Sequence, residues 1–208
     1  MQKAVLFILL AVVSLNSPGQ ESVWSDWDPE ILRKANTAVG IPYLSDEEQK
    51  VVTLMNLARL DGEHFGKTFV NEWVKINNKE KSPYVRSLYK DLKKCTGLPL
   101  IYPEKDLYNI AKGHAEKSGK TGHVGHRDFN KRFENVLGNP YSRVGENCSY
   151  GYNTATDVVV SLLIDEGIKD LGHRKNILNP AFNSAGVSFY PHKTYRYNCV
   201  VDFGSKLR

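Results

Sequence analysis

Apolar residues recur every three or four positions through much of the first half of the chain, the period of a helix with one buried face. The clearest case is residues 46–60, where Ser45 and Glu48 stand three positions apart just ahead of the apolar pattern, the spacing of a capping box. A later helix is predicted over about 103–119, ending at a glycine, a residue that commonly ends helices. His114 lies on its apolar face, and we interpret it as a core histidine rather than a ligand.

Short runs rich in β-branched and aromatic residues mark the second half of the chain. They predict strands over 146–150, 184–190 and 195–203, the last two joined as a hairpin. A helix over about 156–164 lies between the first and second of these strands. Because helices dominate the first half and strands the second, we expect an α+β layered domain.

The chain divides into a lead-in and one domain. Residues 21–44 contain two tryptophans and two prolines without a clean period, so we interpret them as a lead-in that lies on the domain. The domain is predicted over 45–208, a length that can bury a substantial core. Residues 62–95, inside this domain, show the helical pattern only in pieces.

The first twenty residues have the pattern of a secretory signal peptide. The apolar run AVLFILLAVV at 4–13 follows Lys3 and precedes small and polar residues. Since ten apolar residues are too few to span a bilayer, residues 1–20 are predicted to be removed on export. No later segment approaches a membrane-spanning length. We therefore expect a secreted, extracytoplasmic protein without a transmembrane segment in its mature chain.

The charge pattern narrows the class of partner. The formal net charge is +5, and removal of residues 1–20, which hold one lysine and no acid, would leave +4. The basic residues are scattered and form neither a dense block nor an alternation with aromatic residues. Nucleic acid is therefore not an expected partner.

Three cysteines, Cys95, Cys148 and Cys199, permit at most one disulfide within the chain. Cys148 and Cys199 lie in strand-like segments, whereas Cys95 closes a helical one, so we predict a disulfide between Cys148 and Cys199 in this exported chain. Three free thiols are the alternative, because sequence spacing does not give the geometry that a disulfide requires.

The second half also contains most of the groups that could bind a metal or move a proton. Two imidazoles and two carboxylates in one cleft could hold a zinc-like ion with an open position, or serve as acid and base. The alternative is that the histidines only hydrogen-bond loops. No His-Glu-x-x-His, Cys-x-x-Cys or Gly-x-Ser-x-Gly motif is present. The candidates are His123, His126, Glu146, Asp165, Glu166 and His173.

Four stretches, in order, resemble the motifs of the CAP superfamily, which includes cysteine-rich secretory proteins, antigen five, plant pathogenesis-related proteins and secreted bacterial proteins. They are GHRDFNKRF at 125–133, GENCSYG at 145–151, GHRKNILNPAFNSAGVSF at 172–189 and CVVDFG at 199–204. With the helical segments upstream, the resemblance spans about 45–204.

The resemblance implies a three-layer α-β-α sandwich with a central antiparallel sheet and an open cleft lined by two histidines and two acids. Position by position, this cleft tetrad is His126, Glu146, Asp165 and His173. In some members the tetrad binds zinc or another divalent ion, and we expect His126 and His173 to be the ligands. The alternative for GHRKNILNP at 172–180 is a purely structural turn and one-turn helix, with Arg174 and Lys175 solvated.

Three departures from the family pattern leave alternatives open. Asp165 is one methylene shorter than the usual glutamate, so Glu166 could replace it. His123 competes with His126, since it too follows a glycine in the same loop. Residues 62–95 are an insertion with no counterpart in the minimal domain, and they could shade the cleft, bind a partner or pack on the core.

The resemblance favours a secreted binding module over an enzyme, because clear catalysis is the exception in this superfamily and no nucleophile with a dedicated base is visible. The expected ligand is a lipid, a glycan or a protein, bound with a divalent metal in the cleft. The alternative is a metal-assisted extracellular hydrolase or peptidase that uses the same cleft.

Overall fold

The computed structural model describes residues 23–207, so the predicted signal peptide lies outside the described residues. The α-helices whose bounds lie within this range are α1 (Pro29–Ala35), α2 (Asp46–Leu60), α3 (Gly62–Phe65), α4 (Asn71–Ile76), α5 (Pro83–Leu92), α6 (Lys105–Thr121), α7 (Phe129–Phe133), α8 (Ala155–Ile164) and α9 (Gly172–Ile177). A π-helix, Gly66–Val70, connects α3 to α4. Over residues 23–207 no helix is both long and apolar enough to cross a bilayer.

The central sheet has four strands: β1 (Tyr102–Pro103), β2 (Tyr141–Tyr150), β3 (Ser184–His192) and β4 (Arg196–Lys206). Their order across the sheet is β1-β3-β4-β2. The three long strands are antiparallel, and the two-residue β1 pairs parallel to β3. β2 is therefore an edge strand, and this edge carries part of the candidate site.

Helices cover both faces of the sheet, which confirms the predicted three-layer α-β-α sandwich. On one face, α6 packs against β3 and β4, with Ala111 and Ala115 in contact with Val200. On the other face, α2, α8 and α9 form the larger core with residues such as Val201 and Phe203. Successive residues of β4 thus point into different layers, as strand geometry requires.

The first firmly predicted helix has the predicted bounds and cap. Ser45 accepts a hydrogen bond from the backbone N–H of Glu48, and the Glu48 carboxylate accepts one from the backbone N–H of Ser45. The other Glu48 oxygen accepts a hydrogen bond from the backbone N–H of Phe189, 2.9 Å away on β3. The cap therefore also attaches α2 to the sheet.

Gly119 does not end α6, contrary to the sequence prediction. The helix continues to Thr121 and ends at Gly122, whose φ of 75° is the left-handed conformation typical of a helix C-cap. Gly119 has a packing role instead, because a Cβ there would lie 2.1 Å from the backbone oxygen of Pro191. Glycine is required at this position for α6 to approach β3 closely.

The predicted disulfide between Cys148 and Cys199 is wrong, and all three cysteines are free. Cys148 pairs with Val200 and Ser149 with Cys199 across β2 and β4. The two thiols therefore point to opposite faces of the sheet: Cys148 lies beside α6 and Cys199 in the larger core. Neighbouring strands with this register cannot be joined through these side chains.

We expect the thiols to be unreactive in the folded protein. Burial raises the pKa of Cys95, Cys148 and Cys199, so the nucleophilic thiolate is scarce at neutral pH. Native protein incubated with an excess of a disulfide-exchange reagent should release little chromophore until denaturant is added, and a reductant should leave its melting temperature unchanged. Rapid native labelling of one or more thiols, or a reductant-dependent loss of stability, would contradict this arrangement.

Candidate functional site

Non-local hydrogen bonds hold the loop between α6 and α7 onto the sheet. His114 is buried on α6, and its Nε2 donates to the backbone oxygen of Gly125, 2.9 Å away, because a carbonyl can only accept. The backbone N–H of Gly125 donates to the Tyr150 hydroxyl, also at 2.9 Å. His114 is thus the core histidine that its position predicted, and it fixes the residue next to His126.

His126 extends from this loop to the edge strand. Its Nδ1 lies 2.8 Å from Oε1 of Glu146, which is buried on β2. Arg132 of α7 contacts the same carboxylate in a fork, with Nη1 2.5 Å from Oε2 and Nη2 2.9 Å from Oε1. The carboxylate orients the imidazole, and the guanidinium supplies the positive charge that a buried carboxylate needs. We call His126 and Glu146 the first arm of the cleft.

The electrostatics of the first arm keep Glu146 ionised. Burial opposes ionisation, but the hydrogen bonds from His126 and Arg132 outweigh it and lower the pKa of Glu146 to about 2. A permanently charged Glu146 is an acceptor toward His126 and must receive a proton from Nδ1. With Nδ1 engaged in this way, Nε2 is the ring nitrogen of His126 that remains for a ligand.

Asp165 and His173 form the second arm. Asp165 caps the C-terminus of α8 in the left-handed conformation, with φ of 57°. One carboxylate oxygen lies 2.7 Å from Nδ1 of His173, and the other accepts the backbone N–H of His173 at 2.9 Å. The shorter side chain therefore reaches the imidazole directly.

The two alternative residues take other roles. Glu166 points to the surface, where its carboxylate forms an ion pair with Lys79 of the insertion at 2.7 Å. The backbone oxygen of His123 accepts a hydrogen bond from Nε2 of His192 at 3.0 Å. The structure thus brings His126, rather than His123, to the acid of β2, and Asp165, rather than Glu166, to His173.

Asn147 connects the two arms. It follows Glu146 on β2 and so points to the opposite face of the sheet. There its side-chain amide donates to the backbone oxygen of His173 at 3.0 Å and its oxygen accepts from the Asn176 amide at 2.9 Å. Adjacent residues of one strand therefore hold the first arm from one face and the second arm from the other.

Arg174 is buried, contrary to the expectation of a solvated side chain, and it attaches the insertion to the second arm. It donates to the last backbone oxygens of α8, at Leu163 and Ile164, and to three groups of α5. The α5 acceptors are the backbone oxygen of Tyr84, the hydroxyl of Ser87 and the carboxylate of Asp91. The insertion thus packs on the core directly behind His173.

The structure brings the two histidine–acid pairs of the predicted tetrad close to each other. The ring centroids of His126 and His173 are 6.5 Å apart, and each ring uses Nδ1 toward its own acid. The His126 side chain is 48% exposed and that of His173 22%, so solvent reaches the space between them. Two imidazoles, each oriented by a carboxylate, are a donor set suited to a divalent transition metal.

A second group of donors fits a metal less well. Donor atoms of His114, Glu146 and Cys148 lie within 4.8 Å of one another, all in buried residues. The Nε2 of His114 is already committed to Gly125, and both oxygens of Glu146 are held by Arg132. Burial also raises the pKa of Cys148 well above its ordinary value, which disfavours a thiolate ligand. This cluster supports the first arm structurally.

A groove of about 410 Å³ lies beside the first arm, between α6 and α7. Lys117, Arg127, Lys131 and Arg132 contribute positive charge to its walls, and Asp128 and Glu134 contribute negative charge. Neither cleft histidine lines it. The groove therefore lies beside the tetrad, and Arg132, which contacts Glu146, is part of its wall.

The fold and site define a three-layer α-β-α domain with a paired histidine–acid cleft at an edge strand. The family described as "CAP: Cysteine-rich secretory protein family" matches residues 52–203. The chain therefore belongs to the CAP family.

No curated protein sequence matches this one. Three similar solved structures come from bacteria. An extracellular protein with an SCP domain from Bacillus anthracis is 21% identical, with a TM-score of 0.45, over 62% of this chain and 42% of that one. An outer surface protein from Borrelia burgdorferi is 19% identical, with a TM-score of 0.46, over 62% of this chain and 96% of that one. A cysteine-rich secretory protein from Staphylococcus aureus is 21% identical, with a TM-score of 0.40, over 61% of this chain and 40% of that one. The match spans less than half the length of the first and third of these proteins.

Proposed function

We propose that this protein is a secreted binding module whose cleft holds a divalent metal ion, with zinc as the best candidate. One observation carries the proposal: Glu146 and Asp165 each engage Nδ1 of a histidine, at 2.8 and 2.7 Å, and leave the Nε2 atoms of His126 and His173 for a ligand. A carboxylate behind a ligating imidazole fixes its tautomer and raises its basicity.

The separation of the rings is compatible with one shared ion. A Zn–N distance of about 2.0 Å and tetrahedral angles put the centroids of two bound imidazoles about 5 Å apart. The observed 6.5 Å is wider, and the half-exposed His126 has room to close the difference. The ion would then have two nitrogens from the protein and further positions for water or an external ligand.

Charge predicts a moderate affinity for the ion. Arg132 offsets the negative charge of Glu146, which leaves Asp165 as the uncompensated acid of the tetrad. Two imidazole ligands and one nearby net negative charge attract a divalent cation less strongly than a closed structural zinc site does. We propose that a lipid, glycan or protein ligand contacts the open side of the ion, and that the ion completes the binding surface without catalysis.

Export is part of the proposal. The apolar start of the sequence has the composition of a signal peptide, and the family is one of secretory proteins. Buried free thiols are compatible with an oxidising environment because they have no partner within reach and little thiolate.

Isothermal titration calorimetry with zinc tests the metal proposal. The parent protein should bind one equivalent, and a variant with His126→Ala and His173→Ala should lose at least about 100-fold in affinity. Glu146→Gln should lose about 10- to 100-fold, as outer-shell changes do. His64→Ala is the matched control, because His64 lies outside the cleft and contacts the backbone oxygen of Asp26. Equal binding by the double variant and the parent would overturn the proposal.

A second measurement separates binding from hydrolysis. If the parent binds zinc, a peptide library is incubated with the metal-loaded protein, with and without a chelator. We expect no metal-dependent cleavage. Turnover that is lost with the chelator and absent from the double variant would establish the metal-assisted hydrolase in place of the binding module.

A further inference from the structure

Asp202 is a buried acid that the proposed function does not use. It lies on β4 directly opposite Glu146 of β2, so the two side chains project from the same face of the sheet. Both are buried, and the carboxyl group of Asp202 lies against that of Glu146. Two carboxyl groups thus share one buried pocket beneath His126.

The hydrogen bonds of this pocket leave Asp202 without a donor. Both Nη groups of Arg132 go to Glu146, which also receives Nδ1 of His126. Neither oxygen of Asp202 has a hydrogen-bond partner among residues 23–207. An ionised carboxylate only accepts, so two ionised acids in contact would repel each other and leave Asp202 unsatisfied. A proton between them converts the contact into a hydrogen bond.

We propose that Asp202 remains protonated in the folded protein and donates a hydrogen bond to Glu146, which makes it a positioning residue for the first arm. Glu146 would then be held from three sides, by Arg132, by Asp202 and by His126 itself. The importance of Asp202 for metal affinity rests on the proposed function of the cleft. The hydrogen bond itself can be measured without metal.

The electrostatics of the pocket agree with this assignment. Burial raises the pKa of Asp202 well above its ordinary value, the charge of Glu146 acts in the same direction, and Arg132 opposes them without prevailing. The other titratable groups beside the pair offer no additional cation. Burial keeps the Cys148 thiol neutral, and it lowers the pKa of His114 on α6.

The variants Asp202→Asn and Asp202→Leu test whether Asp202 acts as an uncharged hydrogen-bond donor or as an anion. The asparagine amide can donate to Glu146 without a charge, whereas leucine has the same branching at Cγ but no donor. Nitrogen-detected NMR of the metal-free protein would report the tautomer of each histidine. We expect Asp202→Asn to keep His126 protonated at Nδ1 and Asp202→Leu to shift it toward a tautomer mixture. His173 should be unchanged in both and serves as the internal control.

Stability as a function of pH supplies a second readout. An acid whose pKa rises on folding contributes stability that is complete below its unfolded pKa of about 3.8 and is lost as the pH rises. Asparagine has no such dependence. Asp202→Asn should therefore melt higher than the parent at pH 7, by at least about 2 to 4 °C, and the difference should shrink toward zero near pH 4. Val200→Ala, on the same face of β4, is the matched control for loss of packing and should show no such convergence.

The outcomes are distinct. A lower melting temperature of Asp202→Asn at pH 7, together with a disturbed His126 tautomer, would mean that Asp202 is needed as an anion and would overturn the proposal. So would an unchanged His126 tautomer in Asp202→Leu. Failure of zinc to bind the parent would overturn only the proposed function, because the tautomer and melting measurements contain no metal.

Discussion

Replacing Arg59 by leucine should lower the free energy of unfolding by about 4 kcal/mol or more, the largest effect that we expect from any single substitution. Arg59 is completely buried in α2. Its guanidinium donates only to backbone oxygens, at distances of 2.7 to 2.9 Å, and these belong to Pro99, Ile177, Asn179 and Phe182. Leucine would fill part of the space and leave four backbone acceptors without donors, those of Ile177 and Phe182 fully buried and the other two partly buried. Against a typical stability of about 5 to 15 kcal/mol, such a loss removes much of the folded population.

Urea denaturation followed by circular dichroism measures this loss. Burial lowers the pKa of Arg59 to about 10, so the side chain is still charged at neutral pH and the loss should be the same at pH 6 and pH 8. Arg33→Ala is the control, because Arg33 is 74% exposed and pairs only with Glu30, an arrangement worth about 0 to 1 kcal/mol. Equal stabilities of the Arg59 and Arg33 variants would contradict the structural role assigned to Arg59.

Replacing Arg174 by leucine should destabilise the protein by about 3 kcal/mol or more and also weaken zinc binding. The side chain holds the last two backbone oxygens of α8 and three groups of the insertion. Without it, α5 and the C-terminus of α8 lose their common donor, and the buried oxygens are left unpaired. Because Asp165 is the next residue after α8, we expect the second arm to lose its fixed position.

Thermal unfolding and zinc calorimetry on the same samples test the two effects together. Asp91→Asn is the matched control, since it removes the charge of a partner that is 42% exposed but keeps the oxygen acceptor. We expect that variant to lose less than about 1 kcal/mol and to bind zinc as the parent does. Full zinc affinity in folded Arg174→Leu would show that the insertion does not position the cleft.

Local patterns were sufficient for the regular elements of this fold. The bounds of α2 follow from its cap and its apolar spacing, and both strands of the β3–β4 hairpin begin within one residue of their predicted starts. These features depend on neighbours within a few positions, which sequence periodicity records directly. β2 was predicted too short, because residues 141–145 pair with the far end of β4 and this pairing is not a local property.

The errors concern side chains whose partners are distant in sequence. Arg174 was predicted to be a solvent-exposed turn residue, but its hydrogen-bond partners on α5 lie more than 80 positions earlier in the chain. The predicted disulfide depended on two strand-like segments, but the register of β2 against β4 decides which face each thiol occupies. Gly119 resembled a helix stop because the approach of Pro191 is invisible in the sequence.

The candidate cleft was predictable only in part. The resemblance selected four positions, but the choice of Asp165 over Glu166 depends on the left-handed backbone at the end of α8. The position of Asp202 beside Glu146 could not be predicted, since only the pairing of β4 with β2 brings the two together. An acid that follows the apolar run CVV at 199–201 is the one local pattern that could have directed attention to it.

The two arms of the cleft belong to different layers of the sandwich and are connected through the edge strand β2. Any ligand that contacts both His126 and His173 therefore links the layer of α6 to the layer of α8 and α9. Ligand binding is then thermodynamically coupled to the packing of each helix layer on the sheet. A helix layer that detaches from the sheet releases the ligand, and a bound ligand stabilises the packing of both layers. Occupancy of this one small cleft would therefore slow the opening of the whole domain.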